Sequence, residues 1–114
     1  MSSNEPQGLD DEMYRLLREE KVEEFNARRS AGEVCQFRGV DFRGVVFREA
    51  DVHGIDFSDC YFRQADLRGL DMSTCHLEGA SLREAKISGA YFPKELAADE
   101  IMMSLTYGTR VRYR

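Results

Sequence analysis

The residues of this 114-residue chain that are best suited to bind a ligand are its regularly spaced arginines. They fall into two sets in which neighbours are twenty residues apart: Arg43, Arg63 and Arg83 in one, Arg48 and Arg68 in the other. A guanidinium group can hold a carboxylate or a phosphate through two parallel hydrogen bonds. The five side chains are therefore a candidate interaction surface for an anionic ligand or an acidic partner, provided that the fold brings them together.

Cysteines and histidines give a weaker signal. Cys35, Cys60 and Cys75 are odd in number, and their spacing fits neither a disulfide framework nor a zinc site. His53 and His76 have no cysteine placed to share a metal with them. The sequence also lacks a glycine-rich phosphate loop and a nucleophile elbow. We therefore expect no catalytic residue, no cofactor, no metal and no small-molecule substrate, and we predict that the protein is not an enzyme.

A five-residue period from Cys35 to Phe92 must position these side chains. In all twelve units the central residue and the residue two before it are apolar. On an α-helix, a step of five residues turns through roughly 500°, so these residues would form no stripe. On a flat strand, an odd period would place successive units on opposite faces. The chain must therefore coil around its own apolar residues. The central residues are Phe37, Phe42, Phe47, Val52, Phe57, Phe62, Leu67, Met72, Leu77, Leu82, Ile87 and Phe92.

Glycine stands two residues after the central position in six units, where a corner of the coil would need a positive φ. The other five corners carry Glu49, Asp59, Gln64, Thr74 and Glu84. Because such residues rarely adopt a positive φ, the sequence predicts that some corners use a turn with negative φ throughout.

Units such as 50–54 (ADVHG) and 65–69 (ADLRG) resemble the motif of the pentapeptide-repeat family, and the chain resembles a small bacterial member. The resemblance implies an all-β solenoid, a right-handed quadrilateral β-helix with four units per coil and about three coils over residues 35–94. Residues twenty apart would then stack in one column, about 4.8 Å from each other. The two arginine sets would line two adjacent walls, either as a binding surface or as solvated columns balanced by neighbouring carboxylates.

The segments that flank the repeat predict caps within a single domain. Residues 1–34 hold a helix from residue 9 to about residue 30, with Asp10 and Asp11 as capping candidates, which either covers the first coil or docks on a partner. Residues 95–114 hold a short capping helix over residues 96–107, stopped by Gly108. The alternating tail that follows pairs along a wall or forms a dimer interface, with Tyr107, Val111 and Tyr113 as candidate contacts.

Composition and architecture favour a cytoplasmic, non-catalytic scaffold or protein-interaction module, with a homodimer through the tail as one form of partnership. Hydrophobic residues make up 42% of the chain, and no apolar run has the length of a membrane span or signal peptide. The alternative, implied by the resemblance, is a DNA-mimicking modulator of DNA gyrase or another topoisomerase. That activity would require a long acidic rod, whereas these walls mix arginine with aspartate. Binding of nucleic acid or another anion by the arginines is a third hypothesis, and we expect nucleic acid to be the less favoured ligand.

Overall fold

A computed structural model describes residues 11–113 and places three helices around the repeat. They are α1 (Glu12–Arg18), α2 (Val22–Ser30) and α3 (Ala98–Tyr107). Among residues 11–113, no helix is both long and apolar enough to cross a membrane. The predicted helix start at residue 9 and the capping candidate Asp10 lie outside the described residues.

Residues of the repeat that are twenty apart pair with each other, as the stacking of coils requires. Six isolated parallel bridges have this spacing: Asp41–Tyr61, Val46–Asp66, Asp56–His76, Tyr61–Ser81, Asp66–Lys86 and Asp71–Tyr91. Within residues 11–113 the expected all-β character takes this form, and no regular strand is present. A corner in every unit explains the difference, because each extended segment is too short to build a continuous ladder.

The prediction that some corners use negative φ holds at Thr74 but not at the other four non-glycine corners. Glu49, Asp59, Gln64 and Glu84 all have φ angles between 60° and 64°, so the expected negative φ is wrong at these positions. Pairing between levels imposes this conformation: the amide of Gln64, for example, donates to Arg83 O at 2.9 Å. The strain is on the order of 1 to 2 kcal/mol per residue. Thr74 alone among the non-glycine corners of the described chain has no positive φ, and it is the β-branched one.

Central side chains fill the interior of the coil. Every central residue from Phe37 to Leu82 is buried. The predicted columns are present, since the ring of Phe37 stacks on Phe57 at 6.0 Å and that of Phe42 on Phe62 at 5.6 Å between centroids. Ile87 and Phe92, the last two central residues, are only partly buried. The core is therefore sealed at its N-terminal end and incompletely covered at its C-terminal end.

The N-terminal segment forms two helices, so the prediction of one continuous helix is wrong. The break has the hydrogen bonds of a Schellman motif, with Lys21 N donating to Leu16 O at 2.8 Å and Glu20 N to Leu17 O at 3.1 Å. Glu20 takes the left-handed position with φ 61°. Asp11 is the N-cap of α1, where its carboxylate accepts from the amide of Tyr14 at 3.0 Å. The turn lets both helices lie on the coil.

The C-terminal segment lies against its own coil. Helix α3 ends at Gly108, which has φ 75° at the C-cap, close to the predicted stop. After it, Val111 exchanges hydrogen bonds with the wall, donating to Ala80 O at 2.9 Å and accepting from Gly79 N at 2.8 Å. Arg110 forms an antiparallel bridge with Ser81. The tail therefore pairs along a wall of its own chain.

Candidate interaction surfaces

The three arginines Arg43, Arg63 and Arg83 lie together on one wall of the coil. The bridges from Asp41 to Tyr61 and from Tyr61 to Ser81 fix the register of this wall, and each arginine follows a bridged residue by two positions. They line a groove of about 400 Å³. We call it the arginine groove, and its remaining lining residues are Tyr61, Ser81, Tyr107 and Gly108.

The arginines of this groove are unequally neutralised. Arg43 has a carboxylate partner, Asp41, with Nη2 and Oδ2 3.1 Å apart. The nearest carboxylate contact of Arg83 is longer, 3.9 Å from its Nε to Glu84. The side chain of Arg63 makes no hydrogen bond or ion pair with any residue between 11 and 113, although its carbonyl oxygen accepts from Gly44 N at 2.9 Å. The groove therefore has two guanidinium groups that lack a close carboxylate.

The other arginine set is neutralised by one buried carboxylate. Asp66 accepts from Arg68 at 2.8 Å and from Arg48 at 3.3 Å, and its side chain is only 9% exposed. Hydrogen bonds from Arg68 hold the pKa of Asp66 far below its usual value, and Arg48 adds to the effect. This carboxylate therefore stays ionised at neutral pH. Of the five predicted surface residues, Arg48 and Arg68 thus have an internal partner.

A second surface is the C-terminal end of the coil. The tail and α3 supply hydrogen-bond acceptors to two segments of the last level: Ser104 Oγ accepts from Leu82 N at 2.8 Å, and Tyr113 Oη from Leu77 N at 2.9 Å. The next segment, residues 85–92, receives no such cover from any residue between 11 and 113. Within the described chain, the amides of Ile87, Gly89 and Phe92 have no acceptor. We call residues 85–92 the open edge.

Exposed apolar side chains occur both on the open edge and on the helix α3 that caps the same end of the coil. Met102 and Met103 of α3 are 58% and 45% exposed, and Tyr91 on the edge itself is 65% exposed. Met102 lies on the side of α3 opposite Ser104, because two residues turn through about 200° of a helix. Since Ser104 faces the coil, Met102 points away from it. Sequence analysis placed these methionines in the cap, but it missed that a buried serine forms the contact.

The three candidate dimer contacts have different environments. Val111 is completely buried in its own chain, and Tyr113 is partly buried with its hydroxyl on Leu77 N. Tyr107 is 69% exposed and borders the arginine groove. The dimer itself stays a prediction, and only Tyr107 of these three has a largely free side chain.

The cysteines lie on the inner side of the coil and are free thiols. Burial raises the pKa of Cys35 to about 11 and the pKa values of Cys60 and Cys75 to about 12. Such thiols are protonated and unreactive at neutral pH. His53 lies 3.2 Å from the carboxylate of Asp51, and the ring of His76 packs near Tyr113.

Several residues that line or border the groove were not among the predicted surface residues. Tyr61 and Ser81 are twenty residues apart, so the same period that stacked the arginines could have placed them beside the groove. Tyr107, Gly108 and Arg110 carry no such signal, because the antiparallel path of the tail brings them to the wall. Arg110 donates to the hydroxyl of Tyr61 at 2.7 Å and lies over its ring at 4.8 Å.

The five-residue repeat, the pairing of residues twenty apart and the filled interior together define a β-helical solenoid. The model of the family described as Pentapeptide repeats (8 copies) matches residues 35–64 and 60–93, which together span more than half of the chain. The chain belongs to the pentapeptide-repeat family. Neither a curated protein nor a solved structure matches it. The match gives no support to the DNA-mimic alternative.

Proposed function

We propose that this chain is a non-catalytic scaffold whose protein partner is a second copy of itself, joined end to end at the open edge. The observation that carries the proposal is the half-covered end of the coil, where unpaired amides and exposed apolar side chains occur together. A filled interior offers no cleft for catalysis. We also propose the finer geometry that the resemblance implies, a right-handed quadrilateral helix of about three coils, which the twenty-residue bridges support.

Unpaired backbone groups favour a partner that adds an extended segment. The open edge has donors at Ile87, Gly89 and Phe92, and the carbonyl groups of Ala85 and Ala90 accept no backbone hydrogen bond within the described residues. An edge with free donors and acceptors is a template for pairing with another chain. Two identical edges related by a twofold axis run antiparallel, so each supplies the groups that the other lacks.

Apolar contacts would add to this pairing. Ile87 and Phe92 are covered on one side only, and Met102 and Met103 extend the apolar area onto α3. Methionine suits such a contact because its flexible side chain adapts to irregular surfaces. The same side chains on both copies would meet near the axis. The expected product is a longer rod in which the repeats of two chains are joined end to end.

Light scattering coupled to size-exclusion chromatography tests the proposal. We expect a mass about twice the 13.1 kDa of one chain at tens of micromolar protein. The substitution Met102→Lys should weaken dimerisation at least tenfold, because it places a charge in the contact without disturbing an internal hydrogen bond. Amide exchange at Ile87 and Gly89 should slow as the concentration of the wild-type protein rises.

The matched control is Val34→Lys, which introduces the same charge at an exposed apolar residue (75% exposed) that precedes the repeat. It should leave the association constant within about twofold of the wild type. A wild-type protein that is monomeric at several hundred micromolar would rule the proposal out. Equal weakening by both lysine variants would do so too, because it would indicate a general effect of charge.

A further inference from the structure

We propose that the arginine groove binds a small organic phosphate monoester, with Arg63 and Arg83 holding its phosphate group. The site is on a side wall of the coil and does not depend on the dimer proposed above. Three observations carry the inference: the unequal neutralisation of the arginines, an unpaired polar atom on one of the arginines that line the groove, and two tyrosines beside the charged residues.

The fold places the three arginines in one groove on successive levels of the coil. Arg43, Arg63 and Arg83 occupy equivalent positions on successive levels, which lie about 4.8 Å apart. Two neighbouring guanidinium groups at this spacing can both donate to one tetrahedral anion. Phosphate suits this arrangement because it offers three acceptor oxygens, and arginine binds it through a planar pair of donors.

The charges favour a dianion. Arg43 is already paired with Asp41, whereas Arg63 has no partner within residues 11–113 and Arg83 has only a long contact to Glu84. Glu84 is also shared, since it accepts from Gln64 at 3.0 Å. About two positive charges therefore remain for a ligand. A phosphate monoester carries −1.5 to −2 at pH 7, whereas a carboxylate carries only −1.

Arg83 is held ready for such a ligand. Its Nε is buried and has no hydrogen-bond partner in the described chain, although a buried unpaired donor is costly. Its aliphatic stem lies across Gly108, where an added Cβ would come within 3.2 Å of Cδ. Its Nη1 donates weakly to Tyr107 O at 3.4 Å. The stem of Arg83 is therefore positioned by its own chain, while its guanidinium group keeps a donor that no group of the described chain satisfies.

The size and walls of the groove favour an organic group on the phosphate. A bare phosphate ion would leave much of the 400 Å³ empty. Tyr61 and Tyr107 line the same groove, and Arg110 fixes the Tyr61 ring from above. Small-molecule sites commonly combine such apolar walls with a few polar anchors. A flat substituent on the phosphate, such as an aromatic ring, would lie between the two tyrosines.

Titration with phenyl phosphate, followed by calorimetry and by ¹H–¹⁵N correlation spectra, tests the assignment. We expect saturable binding at millimolar or lower concentration, with shifts centred on Tyr61, Arg63 and Arg83. The substitution Arg63→Gln should weaken binding at least tenfold. It should leave the fold intact, because Arg63 is exposed and its side chain has no internal contact to lose. Arg83→Gln should have a similar effect.

The matched control is Arg68→Gln, which makes the same charge change on the neutralised wall and should alter affinity by less than about twofold. Phenyl sulfate, a monoanion of nearly the same shape, should bind at least tenfold more weakly than phenyl phosphate. Failure of the wild type to bind phenyl phosphate at 10 mM would overturn the proposal. So would equal weakening by Arg63→Gln and Arg68→Gln, or inorganic phosphate binding as tightly as the monoester.

Discussion

The two ends of the coil are closed by opposite chemistry. At the N-terminal end the first level presents carbonyl groups, and side chains of α1 and α2 donate to them: Arg18 to Asp41 O and Arg43 O, and Arg29 to Asp51 O and His53 O. At the C-terminal end the last level presents amides, and acceptors come from α3 and the tail. At each end, the capping groups make the hydrogen bonds that a further level would make in a longer coil.

This difference explains why one end is closed more completely than the other. An arginine has five N–H donors, so one side chain can cover two carbonyl groups. Accepting from an amide requires a carbonyl or hydroxyl oxygen, and each amide that is covered at the C-terminal end, between residues 77 and 84, has its own separate acceptor. The described tail supplies enough oxygens for residues 77–84 and leaves the open edge uncovered. A short chain can therefore seal a carbonyl end more economically than an amide end.

The largest expected effect is a difference between the two ends in how much core packing contributes to the free energy of unfolding. Phe42 is fully buried and contacts the rings of Tyr14 and Phe62, so Phe42→Ala should lower the free energy of unfolding by roughly 3 to 5 kcal/mol. Phe92 is partly exposed, so Phe92→Ala should cost roughly 1 to 2 kcal/mol. Urea unfolding at low protein concentration measures both. Equal costs would mean that the ends are equally well packed.

A smaller effect tests the hydrogen-bonded caps. Ser104→Ala should lower the free energy of unfolding by about 1 to 3 kcal/mol, because it leaves the buried Leu82 amide without its acceptor. Arg18→Gln, at the exposed rim of the other end, should cost about 1 kcal/mol. The same urea titration applies, with Ser88→Ala on the exposed surface as the control. If Arg18→Gln proved the costlier change, the relative importance of the two caps would be reversed.

The smallest expected effect is a matched pair of corner substitutions. Gly39 and Gly89 have φ angles of 73° and 72°, and neither would meet a close contact at an added Cβ. Gly39→Ala and Gly89→Ala should each cost about 1 kcal/mol, because both force a left-handed conformation on alanine. Thermal melts of the two variants should coincide. A much smaller shift for Gly89→Ala would indicate that the corner beside the open edge relaxes.

Sequence patterns predicted the parts of this fold that repeat or that are fixed locally. The five-residue period located the buried residues, and the twenty-residue pairing followed from the family resemblance. Asp11 caps the start of α1 and Gly108 caps the end of α3, as their types suggest. The break after α1 was not predictable in this way, because Glu19, Glu20 and Lys21 are ordinary helix formers. The positive φ angles at Glu49 and similar corners were not predicted either, because pairing between levels overrides the local conformational preference.

The candidate site, too, was predicted only in part from the sequence. Sequence spacing put Arg43, Arg63 and Arg83 on one wall, but it could not show which of them lack a carboxylate. That depends on side-chain rotamers. Asp66 points towards Arg48 and Arg68, whereas Glu84 accepts a hydrogen bond from Gln64 and does not line the groove. The open edge depends on how far the tail extends along the last level, which no periodic pattern records.

The short reach of the pairing contacts has a consequence for how the chain is made. Every parallel bridge joins residues twenty apart, and Arg18 is only 23 residues from the carbonyl of Asp41. Contacts of low sequence separation form with little loop-closure cost. During synthesis, α1 and α2 emerge before the repeat and can serve as a template for the first level, after which each level is laid on the one before. The growing end is always an edge with free amides, and the tail that partly covers it emerges only after the repeat is complete.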